Sequence, residues 1–187
     1  MRRELCLCQE ALACRQSLHI QTRIVILQHH REQNLSTNTA RLAVLAVPGC
    51  QIRQRGIPEL PLHTDDLTQN SWLLYPSEDA TSLGKMPHSL GSPLTLIVPD
   101  GSWRQASKVS QREPELRTVP RVMLPEGAPT RYLLRREPKV GGLATFEAIA
   151  RALGVLEGPG TQTKLEALFN LMVERTLRSR GVPVPAF

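Results

Sequence analysis

The sequence predicts an α/β domain, a mostly parallel sheet flanked by helices. Three observations predict it. Short β-branched runs, almost wholly apolar, end at prolines or polar clusters, as strands covered on both faces do. Helical patterns alternate with these runs, the arrangement that yields a parallel sheet. The chain of 187 residues, 41% hydrophobic and 21% charged, is long enough for one well-cored domain. Its 15 prolines and 12 glycines indicate many connections and argue against a simple helical bundle. Aromatic residues make up only 4%, so Leu, Val, Ile and Ala must build most of the core.

Residues 22–28 (TRIVILQ) form the first strand by this reading. Ser36 or Asn38 then caps a helix running to about Val47, with Leu42, Leu45 and Ala46 on one face. Residues 54–70, interrupted by Pro58 and Pro61, read as an irregular connection. Residues 71–75 (SWLLY) make a second buried strand stopped by Pro76, and residues 94–98 (LTLIV) a third stopped by Pro99. A helix over 103–113 ends at Pro114. Residues 119–124 and 132–134 are weaker strand candidates, and residues 145–153 a helix closed by Gly154. The last helix opens on a Thr163/Glu166 capping box. Leu165, Leu168, Phe169, Met172, Val173 and Leu177 recur along it at helical spacing before Gly181 and Pro183. That stripe reads as core or a subunit contact.

The balance of 23 basic against 17 acidic residues, net +6, favours phosphate backbones or anionic membranes, although a basic protein need not bind either. No run approaches the ~20 apolar residues a bilayer requires; the best, residues 40–47, is interrupted by Arg41 and ended by Pro48. Met1-Arg2-Arg3-Glu4 leads into cysteines and not into an apolar signal region, so a reducing cytoplasm is expected, with no membrane partner. The four cysteines are then thiols or metal ligands. Cys6-x-Cys8 with Cys14 and His19 could make a small zinc site, but paired C-x-x-C units are lacking and no metal is assigned.

In parallel sheets, ligands bind beyond the carboxyl ends of strands. Asp100-Gly101-Ser102-Trp103 falls at such an end. It brings together a carboxylate, a flexible turn and free backbone amides, which suit a polar ligand. Turn chemistry and a helix cap explain the same residue types. Arg104, Lys108 and Arg112 follow at four-residue intervals, one helix face that could meet nucleic-acid phosphates or simply be solvated. Gln28-His29-His30-Arg31-Glu32 follows the first strand. Asn38 and Arg41 stand at a helix start, Arg135 and Arg136 add charge further on, and Glu147 complements a helix dipole. No G-x-G-x-x-G, G-x-x-x-x-G-K-[ST], G-x-S-x-G or H-E-x-x-H motif is present.

Taken in order, several of these segments resemble the DTW-domain family, named for its D-x-T-W motif. The matching pieces are Thr22-Arg23 through Gln28-His29 with Arg31-Glu32, Asn38-Thr39 with Arg41-Leu42-Ala43, and Leu74-Tyr75-Pro76. Pro99-Asp100-Gly101-Ser102-Trp103, Arg131-Tyr132 with Leu134-Arg135, and Thr145 with Glu147-Ala148 complete them. Ser102 replaces the motif's Thr and keeps the hydroxyl. The family's additional cysteine pair, upstream of a C-x-C, is missing before Cys6. Either the zinc site has been dispensed with or the native start lies further upstream.

The resemblance implies one DTW domain over residues 1–187, with a Cys-containing segment over 1–20 and a C-terminal helix over 155–187. It implies a tRNA-uridine aminocarboxypropyltransferase that uses S-adenosyl-L-methionine, in a SPOUT-like fold with a C-terminal trefoil knot. Asp100 is the catalytic candidate, accepting the uracil N3 proton or aligning the base. Leu74, Tyr75, Pro99, Asp100, Gly101, Ser102, Trp103 and Leu134 would line the cofactor pocket. His29, Arg31, Asn38, Arg41, Arg104, Lys108 and Arg135 would meet tRNA. The alternatives are a SPOUT-type methyltransferase and a non-catalytic RNA-binding protein.

Overall fold

A computed structural model describes residues 5–86, 93–134 and 142–184. Among them, helix α1 (Cys8–Ser17) precedes strand β1 (Arg23–His29), helix α2 (Ala40–Ala46) and strands β2 (Gln51–Arg55), β3 (Ser71–Leu74) and β4 (Thr81–Ser82). Strand β5 (Thr95–Asp100), the short helices α3 (Trp103–Ala106) and α4 (Val109–Arg112), and β6 (Arg121–Met123) follow. Helices α5 (Thr145–Glu157) and α6 (Pro159–Ser179) complete the order. The six strands form one sheet in the order β2-β1-β5-β3-β6-β4, and every pairing is parallel.

Both faces of the sheet are covered, which is why its inner strands read as continuous apolar runs. Ile24 and Ile26 of β1, with Leu96 and Val98 of β5, face a core shared with α1, α2, α5 and α6. Val25, Leu27, Leu73 and Ile97 point the other way, onto Leu67, Val109, Leu116 and Val119. Phe146 of α5 and Phe169 of α6 stack with ring centroids 5.6 Å apart, and Tyr132 packs on Phe169 at 5.8 Å. No helix among the described residues is long and apolar enough to cross a membrane.

Several expected boundaries are corrected. The helix expected over 103–113 is two pieces, because Lys108 leaves helical geometry at φ −94° and ψ 4°. The penultimate helix does not stop at Gly154 but runs on to Glu157 and closes at Gly158, whose φ is +101°. Gly154 stays within it because α6 crosses so closely that a Cβ there would lie 2.7 Å from Gln162 Cβ. The last helix starts at Pro159, four residues before the expected cap. Thr163 there donates to the Pro159 carbonyl at 3.0 Å, and Glu166 accepts from Gln162 at 2.8 Å. Residues 132–134 form a turn and coil, with no ladder partner. Strand β2 and helix α1 were not anticipated.

Candidate active site

The carboxyl ends of β3, β5 and β6 open onto a cavity of about 840 Å³. Its size lies within the range of small-molecule sites. One wall is the turn after β5. Ser102 caps α3 reciprocally with Gln105: the Ser102 amide donates to Gln105 Oε1 at 2.7 Å, and the Gln105 amide donates to Ser102 Oγ at 3.4 Å. A Cβ on Gly101 would come 3.0 Å from that Oε1 and 3.2 Å from Gln105 Cβ, so the close return of Gln105 leaves little room for a side chain there. The cap presents Trp103 to the cavity, 6.1 Å from the ring of Tyr75 after β3. Leu74, Pro99, Gly101, Ser102 and Arg104 also line this side.

Asp100 lies just behind the wall. Strand register sets Gln28 beside Asp100, and Gln28 Nε2 donates to Asp100 Oδ2 at 2.9 Å. Asn38 Nδ2 donates to the same oxygen at 3.3 Å, while the Thr145 hydroxyl donates to Oδ1. The carboxyl group is buried, with 7% of the residue exposed, and does not form part of the lining; Thr145 does. The start of α5 is fixed beside it, since the Phe146 amide donates to Thr39 Oγ1 at 3.2 Å. Asn38 is committed to structure as well, donating to the Glu32 carbonyl and accepting from the Ala40 amide, both at 2.9 Å.

The opposite wall, residues 124–130 after β6, was missed by sequence reasoning. Two side chains of α5 suspend it. Glu147, 4% exposed, accepts from Thr130 Oγ1 at 2.5 Å, the Arg131 amide at 2.8 Å and the Ala144 amide at 3.0 Å. Arg151 donates to the carbonyls of Ala128 at 2.6 Å and Pro129 at 3.2 Å. The Thr145-x-Glu147-Ala148 segment was the available signal, but the loop's place against it depends on contacts 16 to 23 residues away in the chain.

The model of the DTW domain matches residues 1–177. The chain belongs to the DTW-domain family. It is 36% identical over 146 residues to tRNA-uridine aminocarboxypropyltransferase 2 of Drosophila melanogaster, covering 74% of this chain and 57% of the relative. It is 30% identical to the proteins of that name from Macaca fascicularis, over 82% of this chain and 53% of the relative, and Mus musculus, over 75% and 49%. The chain thus spans about half the length of the curated relatives it matches. No solved structure matches it.

The remaining candidates are spread around this DTW domain. His29 is buried on the sheet face opposite Asp100; its Nδ1 accepts from the Arg31 amide at 3.3 Å. Burial first, then the nearby Arg55 charge, hold its pKa below the usual imidazole value. Arg55 is almost wholly buried, donates to the Gln105 carbonyl at 2.6 Å, and leaves its Nε unpartnered. Arg31, Arg41 and Arg104 are exposed, Arg104 at the cavity rim, while Arg41 donates to the Gln33 carbonyl at 2.7 Å. Lys108 lies at the break between α3 and α4, so Arg104, Lys108 and Arg112 do not share one continuous helix. Leu134 is not in the cavity: its side chain joins the larger core and its carbonyl accepts from Arg180 at 3.2 Å. Arg135 lies outside the described residues. Of the cysteines, Cys8 is exposed, Cys6 half-buried, and Cys14 and Cys50 buried; burial pushes the Cys50 thiol up to about 12.

Proposed function

We propose that this chain transfers the aminocarboxypropyl group of S-adenosyl-L-methionine to N3 of a uridine in tRNA. The observation that carries the reading is its likeness to relatives named for aminocarboxypropyl transfer to tRNA uridine, over 74–82% of this chain. The cavity residues fit such a donor. Tyr75 and Trp103 offer aromatic faces to an adenine or a sulfonium cation, and the turns after β5 and β6 bring backbone groups to the wall. No glycine fingerprint is needed where turns hold the ligand in this way.

Bound there, the donor would supply an electrophilic methylene carbon beside a sulfonium leaving group. The walls would orient it so that this carbon, and not the methyl, faces the acceptor; orientation decides the product. Closure of the apolar wall around the ligand would keep water from competing for it. Exposed Arg31, Arg41 and Arg104 would draw tRNA phosphates toward the cavity, a contact that weakens as salt rises. A SPOUT-type fold with a C-terminal knot belongs to the same reading. The six-stranded, all-parallel sheet flanked by helices is compatible with it. The reading also puts the chain in the cytoplasm, where four unpaired thiols stay reduced.

The test is incubation with S-adenosyl-L-methionine and unmodified tRNA, followed by digestion and nucleoside mass analysis. The expected product is a uridine heavier by one aminocarboxypropyl group. A uridine gaining only a methyl group, or none, overturns the reading.

A further inference from the structure

We propose that the Thr145 hydroxyl is the catalytic group that removes the N3 proton of the acceptor uracil, and that Asp100 receives the proton through it. The inference rests on the transfer reaction proposed above and assigns the proton path within it. Asp100 is buried behind the wall, with Oδ2 engaged by Gln28 and Asn38 and Oδ1 by Thr145. A base so placed cannot meet a ligand directly. Of its three partners, Thr145 is the one that also lines the cavity.

Two other hydroxyls of the wall, those of Ser102 and Thr130, are spent elsewhere, and the third, that of Tyr75, has no carboxylate holding its proton among the described residues. Ser102 Oγ takes the Gln105 amide in the cap of α3. Thr130 Oγ1 donates to Glu147 and accepts from the Tyr132 amide at 3.0 Å. Among the described residues, Thr145 Oγ1 donates to Asp100 and accepts from no group, so its lone pairs remain for a donor in the cavity. A hydroxyl whose proton is held by a carboxylate is a better acceptor, because hydrogen bonds in a chain polarise one another. The N3–H of uracil is such a donor.

The step balances. As N3 attacks, its proton passes to Thr145 Oγ1, and the Thr145 proton passes to Asp100 Oδ1. The N3–carbon bond forms while the carbon–sulfur bond breaks. The electron pair of that bond stays on sulfur, turning the sulfonium into a neutral thioether. Gln28 and Asn38 hold the carboxyl group by Oδ2 throughout, so Oδ1 is left to take the proton. The proton leaves for solvent with the products.

Three variants test the relay in an enzyme preparation whose wild type transfers the group: Thr145→Val, Thr145→Ser and Asp100→Asn. Thr145→Val keeps the shape and loses the hydroxyl. Its kcat should fall on the order of a hundred- to ten-thousandfold, the usual contribution of general base catalysis. Calorimetric affinity for S-adenosyl-L-methionine should stay near wild type, and the melting temperature should fall by only a few degrees for the one buried hydrogen bond lost. Its rate should climb with pH about tenfold per unit, as uracil ionised in solution replaces the relay, where the wild-type profile is flatter. Thr145→Ser should restore kcat to within about tenfold of wild type, and Asp100→Asn should share the steep profile. Wild-type turnover in Thr145→Val overturns the relay, as does a loss that tracks donor affinity or stability and that Ser does not rescue. A wild type that transfers no aminocarboxypropyl group defeats the functional reading itself, and the relay with it.

Discussion

Glu147→Ala is expected to loosen one wall of the cavity and to lower the melting temperature by roughly 4–15 °C. The carboxylate is 4% exposed and accepts three hydrogen bonds, at 2.5, 2.8 and 3.0 Å. Bonds to a charged acceptor contribute about 1.5–3 kcal/mol each, so the gross term is on the order of 5–9 kcal/mol. Burying the carboxylate costs several kcal/mol in return. In the variant, water can replace the acceptor at Arg131 and Thr130, which are exposed and half-exposed, but not at buried Ala144. The net loss is then about 2–4 kcal/mol, and a chain of this length loses about 2–4 °C per kcal/mol. Glu147→Gln should fall between, because one amide hydrogen must face a donor that it cannot satisfy. Calorimetric melting gives the global number, and amide exchange over residues 124–132 shows whether the loss is local. A melting temperature within about 2 °C of wild type, with unchanged exchange in that segment, would refute the view that Glu147 suspends the wall.

Two further outcomes follow from the packing. Gly154→Ala should destabilise the protein in urea titration: helix propensity favours the change by about 1 kcal/mol, but a Cβ 2.7 Å from Gln162 Cβ overpacks α5 against α6 at about 1–3 kcal/mol. A net gain in stability would mean that the two helices separate easily. The second concerns acid. Burial and the charges of Arg55, His30, Arg31 and Arg112 depress the pKa of folded His29 below the ~6.5 of an unfolded histidine, so the fold favours the neutral ring. That contribution is whole above about pH 6.5 and is lost as pH falls through the lower folded value. Melting temperatures between about pH 7 and 5 should therefore decline less steeply in His29→Gln than in wild type. Parallel declines would show that the ring binds its proton equally well in the folded and unfolded chain, so that burial imposes no shift.

The central strands were legible because both of their faces are buried: the runs IVIL in β1 and TLIV in β5 need no partner to be recognised. Strand β2 was not, because QIRQR sits at the edge of the sheet and carries charge where a pattern search looks for apolar residues. Its Arg55 is nonetheless almost wholly buried and bonded to the Gln105 carbonyl of α3, a contact set by distant chain segments. Helix α1 mixes polar and apolar residues without a clean stripe, and its burial of Ala11 and Cys14 comes from α2 and α6. At the site, the turn after β5 was readable because glycine, cap and strand end are local features. The inward aim of Asp100 was not, since it depends on register with Gln28 and on the approach of Asn38 and Thr145 from two other segments. Pro125-Glu126-Gly127 looks like an ordinary surface connection until Glu147 and Arg151 are seen to hold its neighbours.

The two walls of the cavity are held by different means, and the difference bears on how a ligand would be received. The turn from Asp100 to Gln105 is clamped from both faces of the sheet. On one face Gln28, Asn38 and Thr145 fix Asp100; on the other, Arg55 grips the Gln105 carbonyl, and Gln105 in turn fixes the Ser102 amide. Burying Arg55 with its Nε unpartnered is costly, and the cost is tolerated where it immobilises Trp103 and the cap behind it. Groups held in this way need no reorganisation when charge shifts during reaction, which is the main electrostatic advantage of a folded site over water. The wall over residues 124–130 has no strand ladder and no second face. It depends on Glu147 and Arg151 alone among the bonds described, so rigidity on the side of the proton path is matched by a more easily displaced side opposite.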